Sequence, residues 1–201
     1  MPVDFFAHPC TTPNGNCSTT AVPCCSTFSK SLFGISDASA SNRVPAVVLF
    51  DQEDLWDFTI ENLTNNAIQY KAIDFCIPIY RTGAYNVNDD NSNPLDFSSD
   101  HQGTELIKRC EGFLFDGAHW ILFFEIKTKL NQGWLTDARR KFEETILSFK
   151  EHHPDLKHQI INPIISNKAV YKVPQNEMIQ SRILKDKTGV SLQITTRFSI
   201  E

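Results

Sequence analysis

Glu125 and Lys127 stand two residues apart at the end of an otherwise apolar run, Trp120-Ile121-Leu122-Phe123-Phe124-Glu125-Ile126-Lys127. On a strand that spacing places both side chains on one face. Charges on such a face are costly unless they are paired or bound to a metal ion. A third group is close in register. Lys108–Phe115 and His119–Lys129 read as two strands around Asp116-Gly117-Ala118, and Asp-Gly is a strong hairpin signal. A turn centred near 117–118 sets Glu111 opposite Phe124–Glu125, where two carboxylates can share an ion. Asp116 sits at the turn, roughly 20–25 Å off at about 3.3 Å per residue, so geometry selects Glu111.

Two converging carboxylates are hard oxygen ligands suited to Mg²⁺, which keeps waters for a phosphate and an attacking water. The Ile126 carbonyl lies between the two side chains and completes the expected ligand set of Glu111, Glu125 and Ile126. A lysine beside them orients or helps deprotonate that water and offsets phosphate charge in the transition state. The expected catalytic residues are therefore Glu111, Glu125 and Lys127. Alone, an E-x-K triplet is common and its plain reading is a surface ion pair. The apolar strand before it, the hairpin, the registered acid and the helix after it favour chemistry.

The elements around this unit position it. The His119–Lys129 run is apolar on both faces, as a central strand covered on both sides must be. Residues 134–150 form an amphipathic helix, with Trp134, Ala138, Phe142, Ile146 and Phe149 inward and Asp137, Arg139, Arg140, Glu143 and Glu144 outward. Upstream, Pro45–Phe50 reads as a strand. Asp51 caps a helix carrying Leu55, Phe58, Thr59 and Asn62, and a second helix carries Ile68, Ala72, Ile73, Cys76, Ile77 and Tyr80 up to the break at Pro78. Residues 83–104 are polar and turn-rich, a long loop. A strand at 158–166, a helix at about 175–187 and an alternating strand at 190–200 close the chain. Residues 1–43, rich in Ser, Thr, Asn, Pro and Cys, read as an irregular arm, leaving 44–201 as one domain.

At 201 residues with 41% hydrophobic and 21% charged side chains, the chain can close one core. No apolar run approaches the roughly 18 residues that span a bilayer, and Met1–Phe6 lacks the pattern of a signal peptide. The expectation is a cytoplasmic protein without a membrane partner. A net charge of −5 argues against binding nucleic acid by overall charge. Its distribution is uneven: residues 1–125 hold six Lys and Arg against sixteen Asp and Glu, while 126–201 hold thirteen against eight. The basic second half, through Arg139, Arg140, Lys141 and Lys168, is the expected phosphate-facing surface, against the plainer reading of solvated charge. Cys10, Cys17, Cys24 and Cys25 offer zinc ligands in principle, but their spacing departs from C-x₂₋₄-C, and plain thiols are the simpler reading.

Cys110–Phe115, then Ile121–Lys127, then Trp134 and Asp137-Ala138 through Thr145-Ile146 resemble the PD-(D/E)xK nuclease superfamily. They are most similar to a bacterial set with a CDxxL…FVELK…W…DA…TI pattern, and Ile165–Lys168 and Thr188–Leu192 fit that set as well. The resemblance covers about residues 50–200 and is specific over 110–147. It implies a three-layer α/β fold of the restriction-endonuclease-like class, a mixed central sheet flanked by helices. It implies Mg²⁺-dependent phosphodiester hydrolysis, with Mn²⁺ as a substitute, by Glu111, Glu125 and Lys127. DNA is the expected substrate and genome defence the expected setting. Two positions depart from the pattern. Glu111 stands where Asp is usual, and Lys141 stands where related nucleases often have Gln, so that it can grip phosphate instead. Glu61 and Asp74 fall where some such nucleases carry a further metal-binding acid, with helix-surface charge as the plainer reading. The competing expectation is a nuclease-fold module with a weakened site that binds nucleic acid or a protein partner. The arm is a candidate surface for that partner or for a second copy of the chain.

Overall fold

A hairpin of two apolar strands needs cover on both faces, and the computed structural model shows how the chain provides it. The structure describes residues 3–6, 24–37, 44–82, 96–98, 105–128, 132–169 and 176–201. In chain order the strands are β1 (Cys25–Phe28), β2 (Leu32–Ser36), β3 (Val47–Leu49), β4 (Phe58–Asn62), β5 (Ile68–Ala72), β6 (Tyr80–Thr82), β7 (Asp96–Ser98), β8 (Glu105–Leu106), β9 (Gly112–Phe115) and β10 (Ile121–Ile126). Helix α1 (Trp134–His152), β11 (Ile164–Ser166), helix α2 (Glu177–Thr188), β12 (Gln193–Ile194) and β13 (Arg197–Ile200) follow.

The central sheet runs β1-β5-β9-β10-β11-β12, antiparallel as far as β10 and parallel beyond it. Odd-numbered residues of β9 and β10 face α1. Phe149 of the helix meets Phe113 and Phe123 edge-on, with ring centroids 6.1 and 5.4 Å away. Even-numbered residues face the other way, where Phe124 packs on Tyr70 and on Phe58 of β4. That opposite face is covered by a second sheet, β13-β4-β2-β3, and a three-stranded sheet, β7-β6-β8, joins through the buried Arg81–Glu144 ion pair to α1. The α/β class and the mixed central sheet therefore hold. Among the described residues helices flank the α1 face alone, where α2 packs on α1.

Several expectations change. Residues 58–62 and 68–72 are strands, not helices: Phe58, Ile60 and Asn62 point inward while Thr59 and Glu61 are partly exposed, the period of two that a sheet demands. The irregular arm contributes β1 and β2, and its Val3 and Phe5 are buried in the core. Within the expected 83–104 loop, Asp96–Ser98 is β7 and the remainder lies outside the described residues. The terminal alternating run breaks at Thr195-Thr196 into β12 and β13, which join different sheets. The 158–166 strand shortens to β11 after a 3₁₀ turn at Pro154–Gln159. Among the described residues no helix is long and apolar enough to cross a membrane.

Candidate functional site

The hairpin register is the one its turn predicts. Phe115 pairs with Ile121 and Gly112 with Phe124, so one further step sets Glu111 against Glu125. The turn itself uses Asp116: its Oδ1 accepts the backbone N–H groups of Ala118, His119 and Trp120, at the far end of the hairpin from the acids. Gly112 lets the strands close there, since a Cβ on it would lie 2.5 Å from the Lys71 carbonyl oxygen. The stretch before Glu111 is held to the helix by the Cys110 N–H, which donates to Thr145 Oγ1 at 3.1 Å.

Both acids share the α1 face and both are buried, Glu125 completely. The Glu111 N–H donates to Glu125 Oε2 at 3.2 Å. Lys127 Nζ lies 2.9 Å from Glu125 Oε1 and donates to Asp137 Oδ2 of α1 at 3.3 Å. Lys141, one helical turn beyond Asp137, puts Nζ 2.7 Å from Glu125 Oε1 and 3.7 Å from Glu111 Oε1. Glu111 Oε2 is buried without a hydrogen-bond partner. Burial, then the adjacent Glu125 charge, pushes the Glu111 carboxyl well above the usual range, against the opposing pull of Lys141. Burial alone would lower Lys141, but Glu125 and Glu111 together hold it above its ordinary value.

Besides Asp74, already singled out in the sequence, further acids stand around this pair. Asp37, just past β2, is pushed up to about 6 by burial and by Glu125 and Asp57. Its backbone N–H and the Ser36 hydroxyl both donate to Asp57 Oδ2. Asp74 pairs with Arg109 and adds to the field that raises Glu111. Asp137, expected on the outer helix face, points into the site. Its place four residues before Lys141 is the signal that could have found it. Asp37 and Asp57 carried no such signal, being far away in sequence.

The other expected residues separate. Arg139 is buried between α1 and α2, paired with Glu143 and donating to Gln180 Oε1 at 3.1 Å, and so turns away from the acids. Arg140 is half-buried on α1, one residue round the helix from Lys141. Lys168 is exposed, 3.6 Å from Asp57 Oδ1, and lines a cleft of about 400 Å³ with Asp57, Lys127, Thr128, Ser166 and Ala169. Glu61 belongs to the second sheet, paired with Arg197 and Ser199.

Glu111 and Glu125 fit a hard divalent cation: a buried carboxylate oxygen lacks a partner, and a positive group already bridges the two acids. The Ile126 carbonyl is on the correct side. Lys127 N–H donates to Ser166 O on β11, and alternation turns Ile126 toward the β9 side, from which Glu111 comes. Among the described residues no group of three or more Asp, Glu, His or Cys side chains is placed to hold a metal ion, so an ion bound here would have only Glu111, Glu125 and the Ile126 carbonyl as protein ligands. Such a set suits Mg²⁺, which binds through one or two carboxylates and retains water. For the cysteine alternative, Cys10 and Cys17 lie outside the described residues, and Cys24 is buried with Lys71 Nζ 3.7 Å from its sulfur.

No family model, curated protein or solved structure matches the chain.

Proposed function

We propose that the protein is a Mg²⁺-dependent phosphodiesterase that cleaves nucleic acid, with DNA the substrate to test first. The observation that carries this reading is the convergence of Glu111 and Glu125, one oxygen left unpartnered, beside a lysine anchored from behind. Glu111, Glu125 and the Ile126 carbonyl are the groups that would hold the ion. When bound, Mg²⁺ neutralises phosphate charge and acidifies a coordinated water. Lys127, fixed between Glu125 and Asp137, keeps an ammonium beside the acids, where it offsets charge building on the phosphate and orients the water by hydrogen bonding. The cleft that runs from Lys127 to Lys168 lets a phosphate chain approach that ammonium from the β10–β11 end. The resemblance to PD-(D/E)xK nucleases supports the same assignment of roles.

A second reading has its own observation. Lys141 already neutralises the acid pair, which is the arrangement of a nuclease-fold module that binds nucleic acid or a protein without cutting. One assay separates them: plasmid and single-stranded DNA incubated with wild-type and Glu125→Gln protein, with Mg²⁺, Mn²⁺ or chelator. The phosphodiesterase reading requires cleavage by the wild type alone, dependent on metal. Equal traces in both proteins leave the binding module.

A further inference from the structure

The two acids share one resident cation, Lys141, whose ion pairs among the described residues are with them alone. Lys127 touches Glu125 but is also drawn to Asp137, which Lys108 in turn grips at 2.6 Å. Lys141 is different. Among the described residues its ion pairs are with Glu125 and Glu111 only, the second at a loose 3.7 Å. It therefore satisfies the pair incompletely, and Glu111 Oε2 stays without a hydrogen bond. A doubly charged ion ligated at about 2.0–2.1 Å could draw both carboxylates in, as an ammonium on a helix cannot. The two positive groups cannot share the position, because at a few ångströms in a poorly solvated site their repulsion is large.

We propose that Lys141 is a built-in counter-ion for the acid pair, and that a divalent cation binds by displacing its ammonium from between Glu111 and Glu125. The proposal rests on the metal-dependent reading above. Lys127 stays in place because Asp137 holds it. Asp37 also feels the Lys141 charge. The competition would lower the apparent affinity of the wild type for its ion, a bias that removal of the competitor relieves.

The test uses the full chain titrated with Mn²⁺ and with Ca²⁺, read by calorimetry and by melting temperature. Lys141→Met, which keeps the volume and drops the charge, is expected to bind about tenfold tighter or more than wild type. Without ion it should melt lower, since two buried acids lose their counter-charge, and the ion should raise its melting temperature more than it raises the wild type's. Lys127→Met should change affinity less. Equal or weaker binding by Lys141→Met, with the wild type binding normally, overturns the proposal and leaves the metal site standing. Failure of both proteins to bind either ion at millimolar concentration removes the metal reading and this proposal together. Should Lys141→Met not fold, a crystal structure of the wild type with Ca²⁺ decides: Nζ still within hydrogen-bond distance of Glu125 overturns the displacement.

Discussion

Lys127, one residue past the central strand β10, donates to Asp137 of the helix that covers that strand, at 3.3 Å. The bond fixes an otherwise flexible ammonium over Glu125, and Lys108 steadies the aspartate from its other oxygen. Burial tends to raise Asp137, but the Lys108 and Lys127 ammonium groups hold it below the usual carboxylate range. Asp137→Asn should therefore lower kcat by about tenfold with KM little changed, the signature of a lost positioning contact. Lys127→Ala should abolish cleavage with the fold nearly intact. Steady-state kinetics beside thermal melts check both, and full activity in Lys127→Ala would remove that lysine from the mechanism.

Glu111→Gln should stabilise the metal-free protein while destroying ion binding. The folded chain raises the Glu111 carboxyl above its ordinary 4.5, so it holds the proton more tightly than the unfolded chain does. The stability this gives is complete below about 4.5 and is lost as pH rises toward the folded value. Glutamine cannot ionise and escapes that loss. At neutral pH the variant is expected to gain on the order of 1 kcal/mol or more, about 2–4 °C in melting temperature per kcal/mol for a chain of this size. The gain should vanish near pH 4. A variant less stable than wild type at every pH would refute the argument.

Asp37 gives a narrower window. Its carboxyl moves from 3.8 to about 6, so its protonated form contributes stability that is lost as pH climbs between those values. Asp37→Asn should flatten the stability profile between pH 4 and 6, as followed by denaturant melts in steps across the range. An unaltered profile would place Asp37 in water rather than among the acids.

The hairpin, its register and the first helix were legible because they are contiguous: period two, a turn, period two, then period 3.6, each long enough to be read. Glu111 and Glu125 inherited their pairing from the turn. Residues 51–80 misled because apolar side chains at 55, 58, 68, 72 and 73 also fit a helix, and because Lys71, buried beside Cys24, breaks the inward-outward alternation of its strand. Arg139, Glu143 and Glu144 are charged yet buried: Arg139 and Glu143 pair with each other along α1, but their further partners Gln180 and Lys187, and Arg81 for Glu144, come from other elements that no local pattern encodes. Asp37 and Asp57 reach the site only through the second sheet, whose pairings are long-range.

The basic residues of the second half should divide by function. Lys168→Ala, on the cleft, is expected to lower the salt dependence of DNA affinity by about 1 in slope, as one lost phosphate contact does. Arg139→Ala should leave the slope alone and depress the melting temperature, because its guanidinium is locked between α1 and α2. Binding isotherms over a salt series, in the Glu125→Gln background to prevent cutting, measure both. A slope change in the arginine variant alone would reverse the assignment.

The pairing of β13 with β4 joins Ser199 to Glu61 across 138 positions of the chain. During synthesis the hairpin and α1 can form as soon as they leave the ribosome, but β4 keeps one edge open until Arg197–Ile200 arrive. Translation at about 5–20 residues per second leaves that edge unpaired for seconds, long enough for another chain to add to it. The order of synthesis thus makes the frame of the acid pair early and its shelter late.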